Sequence, residues 1–356
     1  MDDVLILSAT GSTDILSDYE SLIWTVQYYG QSEFQLIVPA TLQNIQKLQR
    51  GRYLCRSSDE TETSYKNVML IENLQMDFDS ERGWLLTVSG RGLKSILSRR
   101  IIWNQISVEN KLIGLLIVQV INENVRCDGD RRLFEIDIEY NSAEITDRVD
   151  AQLFGENIAD WMESLCQTYG YGWDIYLSKA SPYYTLKIYK GTDRSLNQNV
   201  NAPVIFSPEF DNLLTATYKN LGTTFANAAL VGGEGEGTSQ RSATVGTATG
   251  LNRFETYIDG SSVSSNGEII TLATYQKMLQ EFGQLQLSEK KTTETLSGDI
   301  DPNGVYKIDQ DFFLGDKVEV DTNKGVSATS RIIEILYSVD SSGVSVIPTF
   351  SEMEVQ

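Results

Sequence analysis

The titratable side chains of this sequence permit few kinds of catalysis. The chain of 356 residues has no histidine, and its 49 acidic and 29 basic residues give a net charge of −20 at pH 7. Without histidine, a Ser-His-Asp triad, a Cys-His pair and a His-Glu-x-x-His zinc site are impossible. Carboxylate pairs, Ser-Lys pairs and metal sites built from oxygen ligands remain. We therefore expect a protein that is not an enzyme.

Two pairs of neighbouring carboxylates have the residue types of a glycosidase. They are Asp128 with Asp130, and Asp137 with Glu139. Such an enzyme holds two carboxyl groups about 5–9 Å apart in a cleft. A chain this rich in acidic residues also places carboxylates next to each other by chance. The sequence favours surface residues here, with a glycan-cleaving protein of the cell envelope as the alternative.

Three aromatic residues have the spacing of a sugar-stacking platform. Tyr169, Tyr171 and Trp173 alternate with glycines, and aromatic rings of this kind can stack on a sugar. The same alternation at the start of a strand is typical of residues on a sheet or barrel face. We favour the sheet face, and glycan binding is the alternative.

Two loops resemble ligand sites but depart from the required patterns. Residues 232–237 are rich in glycine, yet they lack the Lys-Ser/Thr that opens a helix in a P-loop, and their two glutamates would repel phosphate. Residues 299–304 begin like a calcium loop, but Pro302 interrupts it and Gln310 occupies the twelfth position in place of glutamate. We expect a flexible or partner-contacting loop at the first and a polar turn at the second, with no metal and no cofactor.

The cysteines and the apolar runs predict neither a disulfide framework nor a membrane segment. Cys55, Cys127 and Cys166 are far apart, without Cys-x-x-Cys spacing, and are expected in the core. The longest apolar run, residues 112–121, is too short to span a bilayer. The N-terminus lacks the features of a secretion signal. We expect synthesis in the cytoplasm, with export by a route other than a signal peptide.

The first hundred residues, which would help to position any site, are predicted to be mostly strands. Short apolar segments separated by Gly, Asn, Asp and Ser predict strands at 4–8, 34–38, 68–78 and 84–89. Leu74, Met76 and Phe78 alternate with polar residues, as in a half-buried strand. Residues 1–100 are therefore predicted to form a first, small antiparallel β-barrel domain.

The middle of the chain has helical periodicity. Apolar spacing predicts a helix over 108–120 and a second over 156–169, with Gly170 as its C-terminal cap. A Gly- and Ser-rich stretch, 232–268, carries little that could build a core apart from Phe254, Tyr257 and Ile258, and much of it is expected to be mobile. A further helix follows over 271–287. We assign 101–202 and 232–294 to an α+β domain.

The remaining segments predict a second barrel. Residues 203–231 and 295–356 form this domain, and the excursion 232–294 is inserted between its two halves. The predicted fold class is α+β, with two small antiparallel β-barrel domains and one α+β domain. Strands are predicted at 206–218, 225–231, 306–308, 317–321, 331–339 and 344–350.

The order of motifs resembles the tail-hub proteins of long-tailed bacteriophages and of phage-like contractile particles. The resemblance runs through Phe-Ser-Pro-Glu-Phe-Asp-Asn-Leu (206–213), the glycine-rich loop at 232–237 and Leu-Gly-Asp-Lys-Val (314–318). A weaker match at 90–102, Gly-Arg-Gly-Leu-Lys-Ser-Ile-Leu-Ser-Arg-Arg-Ile-Ile, extends it over most of the chain. The resemblance implies a structural protein that forms rings, with two similar barrels in each subunit.

The resemblance also implies partners and a location. It predicts a homotrimer that closes the distal tail tube and adapts a sixfold tube to a threefold tip. Its neighbours would be distal-tail or tail-tube ring proteins on one side, and a tail tip, fibre or tape-measure protein on the other. The protein would be made in the bacterial cytoplasm and reside at the tail tip of the virion or phage-like particle. DNA would pass through the ring without specific binding, in keeping with the charge of −20.

Interface residues are predicted on two elements. Edge strands around 314–320 and 331–336 would continue the ring, because unpaired strand edges accept another chain. The loop from 232 to 253 would touch a partner or the channel. The candidates are Leu314, Lys317, Val318, Val320, Arg331, Ile333, Gly233, Glu234, Glu236 and Arg253.

Overall fold

A computed structural model gives the conformation of most of the chain. It describes residues 3–8, 13–180, 184–221, 225–265, 270–288, 290, 293–301, 304–321, 324 and 327–355. Within these residues the chain forms 22 strands and four α-helices. The prediction of a sheet-rich α+β protein is confirmed. The division into three domains stays a prediction.

The first hundred residues are mostly strands. They contain the helix α1 (Leu42–Lys47) and the strands β1 (Val4–Leu7), β2 (Thr13–Leu16), β3 (Ser21–Gln27), β4 (Glu33–Pro39), β5 (Tyr53–Arg56), β6 (Ser64–Tyr65), β7 (Met69–Asp79) and β8 (Gly83–Gly92). Two 3₁₀ helices complete this part, Ser57–Asp59 and Leu93–Arg99. The four strands predicted here are present.

The next hundred residues alternate helices with strands. They contain β9 (Ile106–Leu112), α2 (Ile113–Asn124), β10 (Ile136–Tyr140), β11 (Arg148–Leu153), α3 (Ile158–Tyr169), β12 (Gly172–Ser178) and β13 (Tyr184–Tyr189). A 3₁₀ turn lies at Gly129–Arg131.

The remaining strands surround one long helix. They are β14 (Ile205–Phe206), β15 (Thr217–Leu221), β16 (Ala228–Gly232), β17 (Ser242–Val245), β18 (Glu255–Asp259), β19 (Thr293–Ser297), β20 (Lys317–Asp321), β21 (Ser327–Asp340) and β22 (Gly343–Val355), and the helix is α4 (Leu272–Ser288). Three 3₁₀ turns lie at Pro208–Phe210, Gly237–Ser239 and Gly250–Asn252.

One large sheet unites the beginning and the end of the chain. Its strand order is β15-β19-β22-β21-β3-β4-β8-β7-β5-β1-β2, with β20 beside β21 and β14 beside β20. The junction is the antiparallel pair β3–β21, which runs from Leu22 opposite Val339 to Gln27 opposite Glu334. A shared apolar core covers both parts, with buried Trp24 and Phe350 in one cluster.

The helix α3 forms as its sequence predicts. The Asn157 side chain accepts hydrogen bonds from the backbone N–H groups of Ala159 and Asp160, at 3.0 and 3.4 Å. At the other end Gly170 has φ of +72°, the left-handed conformation that ends a helix at little cost for glycine. The buried stripe includes Trp161 and Met162. This helix packs against the 3₁₀ helix Leu93–Arg99 and against strand β12. Strand β12 belongs to a second sheet, whose order is β10-β13-β12-β6.

The prediction of a helix over 108–120 is wrong in its first third. Residues 106–112 form β9, which pairs with β11, and α2 begins only at Ile113. Pairing with β11 satisfies the backbone groups of β9, so this tertiary contact overrides the local helical periodicity.

The prediction of one long strand over 206–218 is also wrong. Strand β14 ends at Phe206, and a 3₁₀ turn follows because Pro208 has no N–H group to give to a ladder. The Asn212 side chain bridges the turn, accepting from Ser207 N at 2.9 Å and donating to Ile205 O at 2.7 Å. At 306–308 the chain makes no strand, only an isolated bridge from Ile308 to Phe312.

The segment 232–268 is more structured than predicted. Up to residue 265 it supplies β17 and β18, which pair on either side of β16, and α4 covers one face of this small sheet. The helix α4 can approach β16 closely because Gly283 has no side chain. A Cβ atom at Gly283 would lie 2.4 Å from Val231 Cγ2. The resulting core includes Val245, Ile258 and Leu279. Residues 266–268 lie outside the described residues.

The three parts of the chain meet at the turn that follows β3. Lys94 is buried, and its ammonium group donates to the carbonyl oxygens of Gln27 at 2.6 Å and Gly30 at 3.0 Å. Trp173 Nε1 donates to Tyr29 O at 2.7 Å. Burial lowers the pKa of Lys94 to about 8. Gln27 ends the β3–β21 ladder, and Tyr29 and Gly30 lie beyond it, so the two side chains supply the donors that these carbonyl groups require.

The Tyr28 side chain extends this junction to the C-terminal strands. Its hydroxyl donates to Gly170 O at 3.2 Å and accepts from Gly191 N at 3.1 Å. Gly315 lies against the ring so closely that a Cβ atom would come within 2.2 Å of it. Arg331 holds that glycine in place by donating to its carbonyl oxygen at 2.8 Å.

Replacing Lys94 tests this junction. We expect Lys94→Met to destabilise the protein by about 2–4 kcal/mol, because two buried carbonyl groups lose their donor. Chemical unfolding would measure the change. The exposed Lys190→Met is the matched control and should shift the free energy of unfolding by less than about 0.5 kcal/mol. Equal stability of the two variants would contradict this role for Lys94.

Candidate functional site

The carboxylate pairs that suggested a glycosidase lie on the surface. Asp128 precedes a 3₁₀ turn and Asp130 lies within it, Asp137 and Glu139 are on β10, and all four side chains are exposed. A general acid of a glycosidase needs a shielded site that raises its pKa. The exposed positions do not provide that shielding.

The other candidate ligand sites are also accounted for by the fold. Tyr171 and Trp173 are buried in the core, so their faces are not available for stacking on a sugar. Cys55 and Cys166 are buried free thiols, as predicted. No group of three His, Cys, Asp or Glu residues in the described part of the chain could hold a metal ion. Residues 302 and 303 of the calcium-like loop lie outside the described residues.

The glycine-rich loop is held by its first glutamate. Glu234 accepts hydrogen bonds from the Ser265 hydroxyl at 2.6 Å and from the Ser264 hydroxyl at 2.8 Å, and these bonds lower the pKa of its carboxyl group. Gly233 is buried, whereas Glu236 is exposed. Arg253 forms an ion pair with Glu255 at 2.6 Å. The loop is therefore an ordered part of the small sheet and α4.

The strands predicted as ring edges have partners inside the chain. Val318 and Val320 are buried, and β20 lies between β14 and β21. The backbone of Lys317 also forms an isolated parallel β-bridge with Asp193. The expectation of unpaired edges here is wrong, because β21 pairs with β22 along its length and with β3 and β20 on its other side.

The side chains of β21 and its neighbours point inward as well. Arg331 is buried, and Leu314 and Ile333 are half-buried against the apolar clusters. The structure does not bring these residues together with the loop at 233–253. Their role as interface residues stays a prediction.

The hairpin β7–β8 carries an exposed apolar face. Leu74, Met76, Phe78 and Trp84 are 38, 47, 63 and 54% exposed, although the last two pack with ring centroids 5.4 Å apart. On its outer edge β7 pairs with β5 only through Met69 and Leu70. Among the described residues no strand pairs with that edge from 73 to 79.

Sequence reasoning identified this strand but not its exposure. The alternation of Leu74, Met76 and Phe78 correctly predicts a strand with one apolar face. The prediction of a half-buried strand is wrong for 73–78, where residues on both faces are exposed. A period of two does not distinguish a face that the chain covers from one that is left exposed.

A groove lies between α3 and α4, and we call it the α3–α4 groove. It encloses about 230 Å³. Its residues come from β11, from the turn before α3 and from both helices: Ala151, Gln152, Leu153, Glu156, Asn157, Asp160, Trp161, Ser164, Met278, Glu281, Phe282, Leu285 and Gln286.

Two carboxylates in this groove are poorly solvated. Burial raises the pKa of Glu156 to about 7, although its carboxylate accepts a hydrogen bond from Phe154 N at 2.9 Å. Burial also raises the pKa of Glu281, and the nearby negative charge of Asp150 adds to this effect. The Tyr169 hydroxyl donates to Glu281 at 3.4 Å.

The chain matches the model of one known protein family over most of its length. The model of the Siphovirus ReqiPepy6 Gp37-like proteins matches residues 10–350. The chain belongs to this family. The predicted resemblance to phage tail proteins of the hub type is confirmed. No curated protein matches the chain.

Solved structures of prophage tail proteins share the fold. The 43 kDa tail protein of prophage MuSo2 from Shewanella oneidensis has a TM-score of 0.58 at 13% identity, with 98% of each chain covered. A tail protein from Neisseria meningitidis MC58 has a TM-score of 0.58 at 13% identity, covering 99% of this chain and 97% of that one. The prophage tail protein gp18 from Listeria monocytogenes EGD-e has a TM-score of 0.51 at 12% identity, covering 99% and 95%.

In the part of the chain that the structure describes, no helix is both long and apolar enough to cross a membrane.

The pKa of Glu156 makes stability depend on pH. A carboxyl group whose pKa is raised from 4.5 to about 7 in the folded protein binds more protons folded than unfolded. Its contribution to stability is therefore lost as pH rises through this range. We expect Glu156→Gln to stabilise the protein by about 2 kcal/mol at pH 8 and hardly at pH 4.5. This free energy is smaller than the one that corresponds to the whole pKa shift, because the Glu156 side chain is partly exposed and solvent screens its charge.

Unfolding by urea at the two pH values would measure this difference. The matched control is Glu109→Gln, at an exposed position on β9. A stabilisation by Glu156→Gln that is equal at both pH values would contradict the assignment.

Proposed function

We propose that the protein is a structural hub at the distal end of a phage tail and assembles into a closed homotrimeric ring. The observation that carries this proposal is the hairpin β7–β8, with its unpaired outer edge and four exposed apolar side chains. Membership of a phage tail family supports a location in the virion tail and a non-enzymatic role.

The hairpin has the properties of a subunit interface. An exposed strand edge pairs readily with another chain, and an apolar face beside it gains free energy when it is covered. In a ring each subunit would present its hairpin to a different surface of the next subunit, and closure after three copies would leave no hairpin exposed.

The proposed number of subunits matches two proposed barrels in each chain to a sixfold tube. In our proposal, residues 1–100 form one barrel, and residues 203–231 with 295–356 form another. Three copies would then present six barrels to a sixfold tail tube or distal-tail ring, and three tips to a spike, fibre or tape-measure protein. The α+β domain of 101–202 and 232–294 would lie outside the barrels.

The charge of the chain suits passage of DNA through such a ring. At −20 per subunit, the surface would repel the phosphate backbone. DNA would therefore pass without specific binding.

Replacing the two aromatic residues of the hairpin tests the ring. We expect the wild-type protein to have a mass near three times 39.8 kDa in light scattering. The double variant Phe78→Ser/Trp84→Ser should shift the mass toward 39.8 kDa, because it removes the two largest apolar side chains of the proposed interface.

The control variant also removes two exposed apolar side chains, but both lie outside the hairpin. Leu251 is 100% exposed and Val200 is 90% exposed, so Val200→Ser/Leu251→Ser should leave the mass unchanged. A trimer that persists in the hairpin variant would contradict the role of the hairpin. A wild-type monomer at every concentration would contradict assembly by this chain alone.

A further inference from the structure

The α3–α4 groove is shaped by two matching helix faces. On α3 and its N-terminal cap the lining residues are 157, 160, 161 and 164, and on α4 they include 278, 281, 282 and 285, with 286 beside them. Both sets have the spacing i, i+3, i+4, i+7 that defines one face of a helix. Along this face each helix rises about 10 Å, which is roughly the length of two helical turns. The groove therefore offers a length suited to a short third segment.

The floor of the groove is apolar. Leu153 from β11, Trp161 from α3 and Leu285 from α4 are almost completely buried, and Phe282 is half-buried. An occupant must therefore bring apolar side chains to cover the floor.

The charges around the floor all have one sign. Glu156, Asp160 and Glu281 line the groove, and none of its lining residues is lysine or arginine. Lys277, which directly precedes Met278 on α4, forms an ion pair with Asp150 at 3.9 Å and does not line the groove, although its charge partly opposes the rise in the pKa of Glu281. No cation contributes to the pKa of Glu156. An occupant with positive charge would compensate these carboxylates, and an acidic one would be repelled.

We propose that the α3–α4 groove binds a short amphipathic helix of another protein, with apolar side chains facing the floor and arginine or lysine facing the three carboxylates. The groove length, the apolar floor and the charge of its rim each match one property of such a segment. A second copy of this chain fits less well, because each copy carries a net charge of −20. The site is separate from the hairpin, and its test does not depend on ring formation.

Three fluorescent peptides would test the proposal on the full chain. The first is a short designed helix with leucine on one face and arginine on its flanks. The second replaces each arginine by glutamate, and the third replaces each leucine by serine. We expect binding of the leucine–arginine peptide in fluorescence anisotropy, and binding of the other two that is at least about tenfold weaker.

Variants of the chain would locate the binding site. Glu156→Gln/Glu281→Gln should weaken binding of the leucine–arginine peptide about tenfold or more. The control Glu62→Gln/Glu109→Gln changes the net charge by the same amount at two exposed positions outside the groove. It should leave the affinity unchanged. The bound peptide should also protect α3 and α4 from hydrogen exchange.

Several outcomes would overturn the proposal. Equal weakening by both double variants would mean that the peptide responds to the overall charge and not to the groove. Equal binding of the serine–arginine peptide would remove the role of the apolar floor. A change in oligomer mass caused by Glu156→Gln/Glu281→Gln would make the groove a contact between copies. Failure of the leucine–arginine peptide to bind the wild type would refute the proposal directly.

Discussion

The structure depends on how the backbone leaves β3. This strand lies in the middle of the large sheet, between β4 and β21, and its last carbonyl groups pass beyond the ladder into a buried turn, Tyr28–Gly30. Buried carbonyl groups require donors. Lys94 and Trp173 supply them from two different parts of the chain, and the Tyr28 ring lies against Gly315 in a third. One local requirement thus fixes how the N-terminal strands, the middle strands and the C-terminal strands sit together.

The same arrangement determines which surfaces are left for assembly. Because β3 pairs with β21, and β21 also pairs with β20 and β22, the C-terminal strands satisfy one another. The residues that we expected at a ring edge, such as Val318 and Arg331, are therefore buried. An exposed apolar face lies instead on the hairpin β7–β8.

Local signals in the sequence predict those elements whose stability is also local. The stripe of α3, its cap at Asn157 and its terminal Gly170 lie within one helix, and the prediction there is confirmed. Strand β9 has its partner about forty residues away, in β11, and the helical periodicity of 108–120 gives no sign of it. The small sheet of β16–β18 was missed for a related reason. Its core consists of apolar residues such as Val245 and Ile258, scattered through a segment rich in glycine and serine, and α4 packs against them.

Joining the two ends of the chain in one sheet has a consequence for synthesis. Gln27 and Glu334 are 307 residues apart and form a side-chain hydrogen bond of 2.9 Å at the end of the β3–β21 pair. Contacts at such separation form late, since the intervening chain must first be made and the entropy of closing it overcome. While the ribosome completes the chain, one edge of β3 has no partner in the sheet and is open to pairing with other nascent chains. A subunit can close its central sheet only after β21 has been translated, so the fold itself distinguishes chains that include β21 from those that stop before it.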